Sequence, residues 1–134
     1  MRDSQKIVYR EFHIGETKIN KRALGSEYEE RTIAYLQEYG VRIVERNFRN
    51  RFGEIDLIGY DGEYLVFFEV KYRNSDGSGS GEDAVNAKKR HNICKVSDYY
   101  RVLNGIGEFT PMRYDVIAIK GNQIHWIKNA FAYC

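Results

Sequence analysis

Apolar side chains recur along this chain with two different periods, and the switches between them predict the elements. From Lys21 to about Tyr39 the residues Leu24, Tyr28, Thr32, Tyr35, Leu36 and Tyr39 return at three- and four-residue steps, the spacing of one helix face. Gly40 follows as its stop. Three extended segments come next. They are Val41–Phe48, Gly53–Tyr60 (GEIDLIGY) and Tyr64–Arg73 (YLVFFEVKYR), with Asp61-Gly62-Glu63 between the last two as a hairpin turn. A second helix is expected to run to about Asn104, with Glu82-Asp83 as its cap and first-turn acids. Val85, Ile93, Val96, Tyr100 and Leu103 form its buried stripe, and Gly105 ends it. Met112–Lys120 and Gln123–Lys128 pair around Gly121-Asn122. Residues 1–20 alternate only loosely, as an edge strand or an ordered arm would. The predicted order is α-β-β-β-α-β-β: an N-terminal extension over 1–20, then a single α/β domain over 21–134.

Composition narrows the class. A chain of 134 residues, 43% hydrophobic and 30% charged, suits one soluble globular domain. No apolar run approaches the roughly 20 residues of a membrane span. Met1-Arg2-Asp3-Ser4-Gln5-Lys6 lacks the apolar centre of a signal peptide, so a cytoplasmic location and no membrane partner are expected. Cys94 and Cys134 are far apart and outside any C-x-x-C pattern, so both are expected to be free thiols. His13, His91 and His125 are scattered likewise. The net charge of +2 and pI of about 8.5 favour an acidic partner only mildly. Asn74–Gly81 (NSDGSGSG) reads as a loop, and without G-K-[ST] it is no phosphate-cradling P-loop.

The chemistry lies in the two hairpin strands. Alternation puts Glu69 and Lys71 on one face, about 7 Å apart along the strand. If a two- or four-residue loop closes the hairpin around Asp61–Tyr64, Asp56 falls opposite Glu69 and Glu54 opposite Lys71. Such neighbours have Cβ atoms about 5 Å apart. A loop one residue longer or shorter moves Asp56 to the other face. Two carboxylates that close repel unless a cation lies between them, and oxygen-only ligands suit a hard ion, Mg2+ or Mn2+. In this reading Asp56 and Glu69 are the metal ligands, with the Val70 carbonyl as a further oxygen. Lys71 positions or deprotonates the attacking water, or neutralises charge growing on phosphorus. A surface ion pair, Glu54–Lys71 or Asp56–Lys71, accounts for the same residues without chemistry. Against it, Val66, Phe67, Phe68 and Val70 make the strand look buried on both faces, where unpaired charge is costly.

GEIDLI (Gly53–Ile58) followed by FFEVKYR (Phe67–Arg73) resembles the bacterial YraN family, whose members are regarded as relatives of Holliday-junction resolvases in the PD-(D/E)xK nuclease superfamily. The resemblance runs from about Leu24 to Phe131. It takes in Gly25, Glu29 and Leu36, then Arg46-Asn47-Phe48-Arg49, Lys89, Arg113-Tyr114-Asp115-Val116 and Trp126-Ile127-Lys128. Ile55 stands where the superfamily's namesake proline would be. The resemblance implies a restriction-endonuclease-like core, a central mixed sheet flanked by helices. It also implies that Glu29 is the first-helix acid completing the metal site, unless it is simply an exposed helix acid. Lys89 becomes a phosphate contact, or one of a solvated run Lys88-Lys89-Arg90. Asp115 supports the site or is structural.

The function expected is a metal-dependent endonuclease hydrolysing DNA phosphodiesters, at branched or otherwise structured sites. Catalytic roles fall to Asp56, Glu69 and Lys71, and Arg46, Arg49, Arg51, Arg73 and Lys89 hold the nucleic acid backbone. An enzyme cutting two strands in this way is expected to be a homodimer. The alternative is a nucleic-acid-binding or interaction module with an unused nuclease-like site.

Overall fold

The computed structural model describes residues 7–11, 21–73 and 85–134. Six strands form one sheet in the order β1-β6-β5-β4-β3-β2. The elements are β1 (Ile7–Glu11), α1 (Lys21–Glu38), β2 (Arg42–Asn50), β3 (Gly53–Asp61), β4 (Tyr64–Arg73), α2 (Ala87–Leu103), β5 (Met112–Lys120) and β6 (Gln123–Phe131). Neighbours are antiparallel except β4 and β5, which run parallel and are joined through α2. The sheet is therefore mixed, and the fold is mixed α/β. Ile7–Glu11 takes the edge-strand form, pairing with β6.

Alternation along β4 divides the core in two. Leu65 and Phe67 pack with Ile93, Cys94, Val96 and Tyr100 of α2. Val66 and Phe68 pack with Tyr35 and Leu36 of α1 and with Trp126 of β6. One helix thus covers each face, and β4 is buried from both sides. Both helices close in the same way: the Gly40 and Val41 amides bond back to Gln37 and Leu36, and those of Gly105 and Ile106 to Val102 and Arg101.

Several local expectations need correction. The acids Glu82-Asp83 do not cap α2. Its cap is Asn86, whose side chain accepts the Lys89 N–H at 2.9 Å, and its first turn holds no acid. Residues 82–83, like the 74–81 loop, lie outside the described residues. Leu103 does not extend the buried stripe: it is 60% exposed, because the helix ends there beyond the reach of the sheet. β2 begins at Arg42 rather than Val41, which is instead buried at the turn between α1 and β2.

One turn matters for everything that follows. Asp61 pairs with Tyr64, leaving Gly62-Glu63 as a two-residue loop, and Gly62 takes the left-handed φ of 64° that such a loop needs at its first position. The register then runs Tyr60↔Leu65, Gly59↔Val66, Ile58↔Phe67 and Leu57↔Phe68. Continued by one step, it puts Asp56 across from Glu69.

On the α1 side of the sheet, a buried polar network accounts for the Arg113-Tyr114-Asp115 and Trp126-Ile127-Lys128 stretches. Asp115 accepts two bonds from Arg113 (both 2.9 Å), one from the Trp126 indole (2.9 Å) and one from the Asn129 amide (2.8 Å). Arg113 also bonds Asp61 at 2.8 Å, and the Lys128 ammonium lies 4.4 Å from the Trp126 ring centroid. Asp115 pairs in register with Phe68, on the face opposite Glu69. Its role is structural: it ties β5 to β6 and, through Arg113, to the β3–β4 turn.

Candidate active site

Asp56 and Glu69 face α2 from neighbouring strands. The backbone pairing of β3 with β4 ends at Leu57↔Phe68. Beyond it the Val70 N–H donates to Asp56 Oδ2 at 2.8 Å instead of to a strand carbonyl. That bond turns the Asp56 carboxyl toward β4, where it is hydrogen-bonded to Glu69. Burial and the adjacent Glu69 charge raise the Asp56 pKa to about 7, although the Val70 amide pulls the other way. Asp56 thus keeps its proton up to about neutrality.

Glu69 is only 4% exposed and is the meeting point of two cations. Its Oε2 lies 3.2 Å from Lys71 Nζ and 2.5 Å from Lys89 Nζ. Lys71 is its neighbour two residues along β4; Lys89 descends from the first turns of α2, placed there by the Asn86 cap. Burial lowers the Lys71 pKa, and Lys89 beside it adds to the effect. For Lys89 burial is the largest single effect and acts in the same sense, but the hydrogen bond to Glu69, the contact with Lys71 and the charges of Glu69 and Asp56 together outweigh it and the pKa rises. Neither surface ion pair considered from the sequence forms: Lys71 pairs with Glu69, and Glu54 accepts from Arg49 at 2.9 Å.

The remaining residues singled out from the sequence are placed less centrally. Glu29 faces β2, accepting from Arg46 at 2.8 and 3.2 Å and from Asn47 Nδ2 at 3.0 Å. Arg46 reaches Glu30 as well, at 2.7 Å. Asn47 lies between the pairs Arg46↔Leu57 and Phe48↔Ile55, hence across from Asp56. Glu29 is therefore tied to the strand beside Asp56, while its own contacts are with Arg46 and Asn47. Arg51 has its guanidinium 4.9 Å from the Phe52 ring centroid. Arg73 closes β4 opposite Lys120, and its side chain lies outside the described residues. On the α1 face Tyr72 stacks on Tyr28 with centroids 4.6 Å apart, pinning the end of β4 that carries Lys71.

Reasoning from sequence did not find the Lys89–Glu69 contact or the part played by Asn47. The first joins a helix to a strand twenty residues earlier and has no local signature. The second did have a signal, an Arg-Asn pair preceding the motif strands, and Asn47 takes a positive φ of 53°.

Among the described residues no three His, Cys, Asp or Glu side chains converge in a way that could hold a metal ion. Asp56 and Glu69 form a pair, and any further oxygens would have to come from backbone, water or substrate. As donors they nonetheless fit a hard divalent cation: both are carboxyl oxygens, and a cation between them would offset the burial and the Glu69 charge that hold the Asp56 proton to about pH 7.

Comparison with known proteins places the chain. The family model described as "Uncharacterised protein family UPF0102" matches residues 28–119. This chain belongs to that family. It is the YraN family to which the hairpin motifs pointed. A UPF0102 protein of Lachnoclostridium phytofermentans is 41% identical over 113 residues, covering 84% of this chain and 96% of that one. One from Colwellia psychrerythraea is 46% identical over 102 residues, covering 72% and 79%. One from Aliivibrio fischeri is 40% identical over 118 residues, covering 86% and 96%. The matched region contains all of β2 to α2, and with them Asp56, Glu69, Lys71 and Lys89 of this member of the family. Among the described residues no helix is long and apolar enough to cross a membrane.

Proposed function

We propose that this UPF0102 protein is a metal-dependent endonuclease with a restriction-endonuclease-like core, hydrolysing phosphodiesters of DNA at branched or otherwise structured sites. The observation that carries the reading is the pair of hydrogen-bonded carboxyl groups, Asp56 and Glu69, buried against Lys71 at one end of the β3–β4 hairpin. Gathering two acids and two lysines, with Glu69 buried and the other three half-buried, is costly, and a fold seldom keeps such a cluster for stability alone.

Asp56 and Glu69, with the Val70 carbonyl, would hold Mg2+ or Mn2+. A bound ion of this kind supplies a polarised phosphoryl oxygen and an acidified water. Asp56 must first give up the proton it holds near neutrality. Lys71, its ammonium made more acidic by burial, orients the water or offsets charge growing on phosphorus, and would accept the water's proton only after losing its own as the neutral amine. Lys89 has a different task. It neutralises Glu69 in the structure, and with a divalent cation held there it would be free to contact a substrate phosphate. Glu29 joins the ligands only by leaving Arg46 and Asn47. Cutting two strands of a branched substrate calls for two copies of the site, and so for a symmetric dimer.

A second reading has one observation in its favour. Glu69 is already neutralised by two lysines, as it would be in a nucleic-acid-binding module whose nuclease-like site has fallen out of use. A single assay separates the two. Labelled duplex, single-stranded, flap and four-way-junction DNAs are incubated with Mg2+ or Mn2+ and either wild type or Glu69→Ala. The nuclease reading expects metal-dependent cutting by wild type. In the variant, loss of several kcal/mol of charge stabilisation slows it by on the order of a hundredfold or more. Binding without cutting by either protein would favour the module.

A further inference from the structure

The cations near the site fall into two groups. Arg46, Arg49, Lys71 and Lys89 are each held by a carboxylate. Arg51, Lys88 and Lys95 are exposed, and among the described residues none of them meets one. Two of these three gather at one point. Phe52, at the tip of the β2–β3 hairpin, has the Arg51 guanidinium 4.9 Å from its ring centroid and the Lys95 ammonium 5.0 Å from it. The ring is 37% exposed although it is large and apolar. The hairpin tip rests on α2, since a Cβ built on Gly53 would lie 3.7 Å from Asn92 Cβ.

The helix sequence AKKRHNICKVSDYYRVL carries five Lys and Arg against a single acid, Asp98, which accepts a 2.6 Å bond from the Tyr133 hydroxyl. Lys88, Asn92, Lys95 and Tyr99 follow one another at steps of four, three and four, so they form one stripe, with Lys88 and Lys95 about 10 Å apart along the axis. Tyr99 ends the stripe 49% exposed, its ring stacked toward Phe48 of β2. The stripe begins beside Lys89, which touches Glu69. Unpaired cations interleaved with half-exposed rings, continuous with a carboxylate site, suit a strand of phosphates that carries flat apolar groups.

We infer that Arg51 and Lys95, gathered about Phe52, and Lys88 on the same stripe of α2 form a track for the backbone of an unpaired nucleic-acid strand, one of whose bases stacks on Phe52, and that this track leads to the Asp56–Glu69 site. The inference rests on nucleic acid being the substrate of that site. Lys88 is the chain neighbour of Lys89, which touches Glu69; Lys95 is two turns further along the helix, and Arg51 and Phe52 meet it from the hairpin. The geometry favours a single strand over a closed duplex, because stacking on Phe52 needs a base face that duplex pairing keeps covered.

The test is fluorescence anisotropy of a labelled single-stranded oligonucleotide in chelator, over a series of KCl concentrations, so that no turnover is involved. The variants are Arg51→Glu/Lys95→Glu and Phe52→Ala, with Arg42→Glu as control. Arg42 also lies 4.9 Å from an aromatic ring, Tyr60, but at the other end of β3. Each variant's melting temperature reports its folding. The double variant should bind at least tenfold more weakly, and its log K against log salt slope should be shallower by about 1.4, two contacts at roughly 0.7 each. Phe52→Ala should cost about tenfold with the slope unchanged. Arg42→Glu should change neither. Unaltered affinity and slope in a folded double variant would overturn the track, as would wild-type protein that binds only duplex, or that binds anionic phospholipid vesicles and no oligonucleotide. An enzyme that cuts but shows no such loss disproves the track alone; a strand-binding protein that never cuts disproves the nuclease alone.

Discussion

A carboxyl group buried beside a second carboxyl cannot ionise as it would in water, and this governs what Asp56 can do. Its pKa rises from 3.8 to about 7, so the folded protein holds this proton more tightly than the unfolded chain does. The sign of the linkage follows. The associated stability is fully present below about pH 4 and is lost as the pH climbs through about 7. In chelator, the urea midpoint of wild type should therefore fall relative to that of Asp56→Asn between those values, with a slope of at most about 1.4 kcal/mol per pH unit. Parallel curves for the two proteins would show that Asp56 ionises as an ordinary carboxyl group. At this scale the sequence was informative about Asp56, Glu69 and Lys71, because strand alternation and a Gly-centred turn are local rules. It was silent on Lys89 as a partner of Glu69. That contact depends on how α2 lies across β4, and the intervening residues carry no pattern that encodes it.

The site belongs to no single element; it is the place where a hairpin and a helix meet. Gly62 sets the hairpin register, and Asn86 sets where α2 begins and so where Lys89 emerges. Asn86→Ala removes the bond to the Lys89 N–H and should lower stability by about 1 kcal/mol, read as a shift in urea midpoint with an unchanged m-value. An unaffected midpoint would mean that the first turn is held by something other than its cap. The elements themselves were legible from period alone. β3 and β5 appear with the expected character, since β-branched and aromatic residues on a sheet packed from both sides leave few alternatives. Element ends were less legible. Glu82-Asp83 resembles a helix start as well as Asn86 does, and only the tertiary position of α2 chooses between them. Leu103 continues the apolar period of its helix beyond the edge of the sheet, a distance that no sequence pattern records.

In the whole molecule the two faces of the sheet divide the work. The α1 face carries the Arg113–Asp115–Trp126 network, in which every strong acceptor is used, and it holds β5, β6 and the β3–β4 turn rigid. The α2 face carries Asp56, Glu69, Lys71 and Lys89, where Asp56 keeps its proton to about pH 7 and two ammonium groups meet on Glu69. Firm hydrogen-bonded support on one side and a cluster of charges on the other suit the proposed binding of a cation and a phosphodiester. The claim at the centre of this account is that Asp56 and Glu69 together bind a divalent metal. Mn2+ titration followed by electron paramagnetic resonance tests it most directly, with wild type, Asp56→Asn and Glu69→Gln each measured on either side of neutrality. Wild type should show one site whose affinity increases as the pH rises through about 7 and which is weakened at least tenfold in both variants. Equal Mn2+ binding by all three folded proteins, or a site indifferent to pH, would contradict it.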